Sequence, residues 1–104
     1  MNTPEMYPEV HGMTLSRSKA REEVSKLGNW TVRRSVISKK FVFVDFARAM
    51  RFVNRVAKLA EAANHHPDIT ISYNRVKLAL TTHDEGGLTM KDFRLAGRIN
   101  KLAK

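Results

Sequence analysis

Along this chain the apolar residues switch repeatedly between helical spacing and strict alternation, and the order of that switching limits the folds open to it. From Ser16 to Leu27, Ala20, Val24 and Leu27 fall at i, i+4 and i+7, a helical stripe. Gly28 follows, where helices commonly end in a left-handed residue. Trp30 to Arg34 and Lys39 to Val44 are rich in aromatic and β-branched residues and predict a strand hairpin. Asp45 suits a helix N-cap, its carboxylate accepting free N–H groups in the first turn of a helix over 46–63. On that helix Phe46, Met50, Val53, Ala57 and Ala60 share one face, with Phe52, Val56, Leu59 and Ala63 beside them. Arg48, Arg51, Arg55 and Lys58 cluster opposite. The apolar arc covers about half the circumference, more than a lone surface helix needs, so a second element or subunit is expected against it.

The second half repeats the order. Ile69 to Tyr73 and Arg75 to Thr82 alternate as strands around a tight connection near Asn74. Asp84 to Gly87 is expected as a loop, and a helix from about Thr89 turns Leu95, Ile99 and Leu102 inward. The two αββ halves hint at internal repetition, without a residue match between them. This order predicts a single α+β domain, α-β-β-α-β-β-α, with a four-stranded antiparallel sheet and its helices packed on one face. The 104 residues have room for one such domain, expected over 15–104 behind a loosely ordered lead of residues 1–14 that carries Pro4 and Pro8. So short a domain buries a modest core, which oligomerisation would supplement.

Composition removes several classes of function. The chain has no cysteine, which excludes disulfides, thiolate metal centres and a cysteine nucleophile. No apolar run approaches the roughly 18 residues of a membrane span. Met1 to Met13 has two acids, two prolines and no arginine, unlike a signal or transit peptide, so a cytoplasmic location is expected. The net charge of +9 arises between Arg17 and Lys58, with twelve basic residues against three acids; the remainder is balanced. Such a surface would suit phosphate contacts. Nucleic-acid binding is nonetheless disfavoured: one basic helix face is ordinary solvated surface, and neither a helix-turn-helix nor an RNP-type aromatic motif is present.

The residues able to do chemistry lie in the balanced half. His65 and His66 end the long helix and His83 follows the last strand. An imidazole, with an ordinary pKa of about 6.5, both gives and takes protons near neutrality. Pro67 pushes His66 out of helical geometry, so the pair sits in a turn. A helix end favours histidine through its dipole, which would be reason enough for either one alone. Alternation points His83 away from the face of Val76, Leu78 and Leu80, so it is not a core histidine. Should the two segments meet, three imidazoles would line one pocket. Asp92, three residues after Thr89, loosely fits a capping box and shares a stripe with Leu95 and Ile99, so it leans inward where it could orient an imidazole. Glu61, one turn before His65, could do the same. Adjacent histidines project in different directions and HExxH spacing is absent, so no metal site is expected. No GxSxG nucleophile motif occurs.

The stretch Glu61-Ala-Ala-Asn-His65-His66-Pro67-Asp68 and the run from Thr82-His83 through Gly86-Gly87 to Asp92 resemble the pterin-4a-carbinolamine dehydratases. Trp30, the segment Phe41 to Phe46, Tyr73-Asn74 and Leu95-Ala96 extend the resemblance over roughly 15–102. It implies a hydro-lyase that eliminates water from 4a-hydroxytetrahydrobiopterin to give quinonoid dihydropterin, recycling the pterin spent by aromatic amino acid hydroxylases. It implies no cofactor and no metal. His65 and His83 would be acids, and His66 would bind the pterin and act as base. Glu61 and Asp92 would hold imidazoles and ring nitrogens, with Pro67 among the supporting residues. Ile69 departs from the pattern, since animal members have tryptophan two residues after the proline. The family forms homodimers or homotetramers, with the long helix expected at the interface. Two alternatives remain open: a different pterin, such as a molybdopterin intermediate, or a non-enzymatic role as a transcriptional cofactor.

Overall fold

Each helix of the computed structural model, which describes residues 14–103, starts where a side chain can cap it. Ser16 Oγ accepts the Lys19 N–H at 3.2 Å and opens α1 (Arg17–Leu27). Asp45 accepts the Arg48 N–H at 2.9 Å and opens α2 (Phe46–Ala63). Thr89 opens α3 (Met90–Leu102). Between them lie β1 (Thr31–Arg33), β2 (Val36–Val42), β3 (Asp68–Ser72) and β4 (Arg75–Leu80). Among the described residues no helix is long and apolar enough to cross a membrane. The lead expected over 1–14 lies, except for Thr14, outside the described residues.

The strands form one antiparallel sheet in the order β1-β2-β4-β3. Each hairpin therefore contributes its second strand to the centre, and the two αββ halves are arranged alike about the β2–β4 pairing. Asn74 ties them beyond the strands, its Nδ2 donating to Phe43 O and its carbonyl accepting Phe43 N–H, both at 2.8 Å. Ile37, Phe41, Val76, Leu78 and Leu80 face the helices and are buried. Lys40, Arg75 and Lys77 face away and are exposed.

The strand boundaries differ from the sequence-based expectation. β1 is shorter than 30–34, and β2 begins at Val36 instead of Lys39 and stops at Val42, leaving Arg34-Ser35 as a two-residue loop with Arg34 at φ 56°. Ser38 belongs to the strand because it sits on the open face, where a polar side chain costs nothing, while neighbouring Ile37 carries the burial. β4 ends at Leu80, and residues 83–85 of the expected strand exit and loop form a 3₁₀ turn.

On α2 the buried residues are Ala49, Phe52, Val53, Val56 and Ala60, which span about 100° of the helix, the width one packed face needs. Phe46 and Ala57, expected on that face, are exposed, with Met50 half-buried between them. Phe52 supplies the central aromatic contact, its ring 4.8 Å from Phe41 and 4.9 Å from Phe43. α3 turns Phe93, Leu95, Ala96 and Ile99 into the same core.

A polar junction closes one end of the sandwich. Asn100 on α3 accepts from Trp30 Nε1 at 2.8 Å and Lys39 Nζ at 3.2 Å through Oδ1, and its Nδ2 donates to Leu27 O at 2.9 Å. One amide thus joins the end of α1, the start of β1, β2 and α3. Lys39 faces the helices yet keeps its ammonium 4.9 Å above the Phe41 ring, a favourable site for a cation. Leu78, wholly buried on a central strand, carries the hydrophobic load. Leu78→Ala is expected to lower unfolding free energy by about 3 kcal/mol in a urea titration, with the m-value unchanged.

Candidate active site

The end of α2 sets the direction of the first two histidines. Asn64 adopts the left-handed conformation (φ 52°, ψ 42°), its N–H donating to Glu61 O at 3.2 Å while the His65 N–H donates to Ala60 O at 3.1 Å. These two bonds make a Schellman termination, with asparagine in the position usually taken by glycine. Pro67 keeps His66 from re-entering a helix, and the chain runs into β3 at Asp68.

The exit of β4 brings in the third histidine. Thr82 and Gly87 form an isolated bridge with both hydrogen bonds at 3.3 Å, and the 3₁₀ turn His83–Glu85 projects from it. Gly86 at φ 76° closes that turn by donating to His83 O. A side chain on Gly87 would stand 3.0 Å from the Thr14 methyl, so the N-terminal approach packs directly against this loop. Thr14 Oγ1 also donates to Glu85 O at 3.0 Å, and Leu15 N–H to Leu88 O at 2.8 Å.

Asp92 joins the two segments. It completes the capping box of α3, Oδ2 accepting the Thr89 N–H at 3.0 Å. The same oxygen accepts the Thr82 hydroxyl at 2.9 Å, while Oδ1 meets His65 Nε2 at 2.5 Å. Asp92 is fully buried and no Lys or Arg pairs with it among the described residues. Three hydrogen bonds therefore offset the desolvation of its carboxylate. Since the carboxylate accepts throughout, His65 donates through Nε2, which leaves Nδ1 as the nitrogen able to exchange a proton with a ligand. Thr89 Oγ1 lies 3.0 Å from Thr82 Oγ1. With the Thr82 proton committed to Asp92, the Thr89 hydroxyl is the donor between them.

His66 repeats the pattern at the surface. Its Nε2 lies 2.5 Å from Glu61 Oε2, but the side chains are 55% and 77% exposed, so water screens the pair. Glu61 thus serves His66, not the adjacent His65.

His65, His66 and His83 line one open cleft of about 330 Å³, together with Asn64, Thr81, Thr82 and Asp84. Asp92 lies behind His65, and Glu61 bonds the ring edge of His66. Pro67 and Ile69 are not in the cleft wall; Ile69 lies on edge strand β3 opposite Leu78. Thr82 had a sequence signal that was missed, since it continues the inward stripe Val76, Leu78, Leu80. Asn64 had another, as a left-handed residue at a helix end. Nothing local marks Thr81 or Asp84. Among the described residues no three histidine or acidic side chains converge as metal ligands do.

Fold and cleft together define a small α+β protein of the pterin dehydratase class. The crystal structure of a transcriptional coactivator/pterin dehydratase from Brucella melitensis superposes on it with a TM-score of 0.84 at 35% identity, covering 88% of this chain and 99% of that one. The sequence profile described as Pterin 4 alpha carbinolamine dehydratase matches residues 13–102, and the chain belongs to that family of hydro-lyases. A Koribacter versatilis relative is 47% identical over 89 residues, 86% of this chain and 95% of that protein. One from Chloroflexus aurantiacus is 50% identical over 88 residues, 85% of this chain and 95% of that protein. Both are provisionally named pterin-4-alpha-carbinolamine dehydratase.

The hydroxyl of Thr82 is the link most open to test. Thr82→Val keeps the shape but leaves Asp92 one donor short and Thr89 without its acceptor. A stability loss of about 1–3 kcal/mol is expected by chemical denaturation.

Proposed function

We propose that this chain is a cytoplasmic 4a-hydroxytetrahydrobiopterin dehydratase, acting in tetrahydrobiopterin recycling by histidine acid–base catalysis. The observation that carries the reading is the convergence of three imidazoles on one cleft, two of them backed at Nε2 by a carboxylate. Elimination breaks the C4a–O bond and removes the N5 proton, forming the C4a=N5 double bond of quinonoid dihydropterin. Nothing is oxidised, so the step asks for an acid at the departing hydroxyl and a base at N5. In this scheme His65 and His83 are the acids and His66 is the base. Asp92 holds the His65 ring through Nε2, which directs Nδ1 to the proton transfer; Glu61 does the same for His66. The familial departure at Ile69 bears less on the ring site because that side chain stands outside the cleft wall.

The proposal includes a homodimer or homotetramer. Supporting it, Val42, Val44 and Phe46 are 70%, 77% and 49% exposed where β2 passes into α2, and the Phe46–Met50–Ala57 flank of α2 continues the apolar strip. Contiguous apolar surface of this kind is characteristic of interfaces. Phe46→Glu is expected to shift the protein toward monomer in equilibrium sedimentation, with the circular dichroism spectrum retained.

The catalytic reading is tested by generating 4a-hydroxytetrahydrobiopterin with a hydroxylase and following its disappearance by absorbance. The wild type should outpace buffer, and His66→Ala should lower kcat/KM about a hundredfold or more, the scale of losing a general base. His83→Ala should also slow the reaction while leaving the fold intact, because His83 is exposed. Dehydration no faster than in buffer would refute the activity. Full activity in His66→Ala would discard its role as base.

A further inference from the structure

His65 also lines a second cleft, of about 220 Å³, that the elimination does not use. Its walls are Ala63 and His65 from the end of α2 and Lys91, Arg94, Leu95 and Arg98 from α3. The three cations are spaced by one turn of helix, so they stand along one side of α3. No carboxylate lines the cleft. Lys91 Nζ reaches Glu85 Oε2 at 3.4 Å, which ties it to the turn that carries His83. Arg94 and Arg98 are exposed and make no ion pair among the described residues. Ala63 and Leu95 give the cleft an apolar component, and a concave site with one sign of charge over low-dielectric walls concentrates its field. Guanidinium groups match phosphate oxygens in paired hydrogen bonds, a geometry that a solvated lysine face lacks.

His65 lines both clefts, so a pterin ring held against the three histidines would touch an imidazole that also borders the cations. We propose that the Lys91–Arg94–Arg98 cleft is a phosphate subsite for the substrate's side chain, so that this protein prefers pterins whose side chain carries a phosphate ester over those with a neutral one. The inference rests on the pterin elimination proposed above and leaves the chemistry at C4a and N5 unchanged; it moves the preferred substrate from biopterin, whose side chain is neutral, to a phosphorylated pterin.

The test measures binding of two fluorescent pterins, neopterin and neopterin monophosphate, to the wild type and to the double variant Arg94→Gln/Arg98→Gln. Neither arginine belongs to the histidine cleft, and both are exposed, so the variant should fold. The wild type should bind the monophosphate about tenfold or more tightly than neopterin, with the margin shrinking as salt rises. The double variant should lose that margin and keep its affinity for neopterin. Inorganic phosphate should compete against the monophosphate and leave neopterin binding unchanged. Equal affinities in the wild type, with neopterin binding and dehydration intact, would overturn the subsite alone. A preference that survives in the double variant would place the phosphate elsewhere and likewise overturn it. Binding of inorganic phosphate without any preference for the monophosphate would reduce the cleft to a free-anion site. If the wild type binds neither pterin, the pterin reading of the histidine cleft fails and the subsite falls with it.

Discussion

The buried carboxylate of Asp92 is the constraint around which the candidate active site is organised. A charged group fully removed from water is costly unless hydrogen-bond donors meet it, and here the donors come from three places: the Thr89 backbone, the Thr82 hydroxyl and the His65 ring. Each belongs to a different junction, namely the start of α3, the exit of β4 and the end of α2. Meeting the needs of one carboxylate therefore locks three chain segments together. The same bonds engage His65 Nε2 and leave Nδ1 as the nitrogen able to exchange a proton. Helix capping, loop placement and ring orientation are one arrangement here, not three.

The rest of the fold delivers those segments to that point. Because each hairpin places its second strand at the sheet centre, β2 and β4 carry the fully buried Ile37, Val76, Leu78 and Leu80, while the outer strands stay short or exposed. Asn100 does for the other end of α3 what Asp92 does for its start, holding α1, Trp30 and Lys39 in register with the sheet. α3 is thus pinned by a polar group near each end and by apolar contact between. A helix held in this way can present Lys91, Arg94 and Arg98 at fixed positions beside the histidines.

Much of the site was legible locally. Thr89 with Asp92 announced a capping box, and His65-His66-Pro67 announced a turn after the long helix, because caps and prolines act within a few residues. The inward lean of Asp92 followed from its stripe with Leu95 and Ile99. What escaped notice was pairing: Glu61 serves His66 and not His65, since the left-handed Asn64 swings the chain after the helix and the simple one-turn rule no longer applies. The early start of β2 escaped for a related reason. Ser35 and Ser38 look like a loop when read in order, and only the register with β4 puts Ser38 on the open face. The wide apolar arc of α2 was visible too, but not its division into a buried face and an outward flank.

The sequence by itself determined the element order, the single α+β domain, the caps and the identity of the residues able to move protons. These depend on periodicity, backbone preference and side-chain chemistry, all of which act over one or two turns of chain. Tertiary structure alone decided that His65, His66 and His83 share a cleft, that Asp92 stands behind His65, and that a cationic groove adjoins it whose Arg94 and Arg98 have no ion pair among the described residues. His65 and Asp92 are 27 residues apart, and their meeting depends on sheet register and on the burial of a carboxylate that must find its donors wherever the fold brings them.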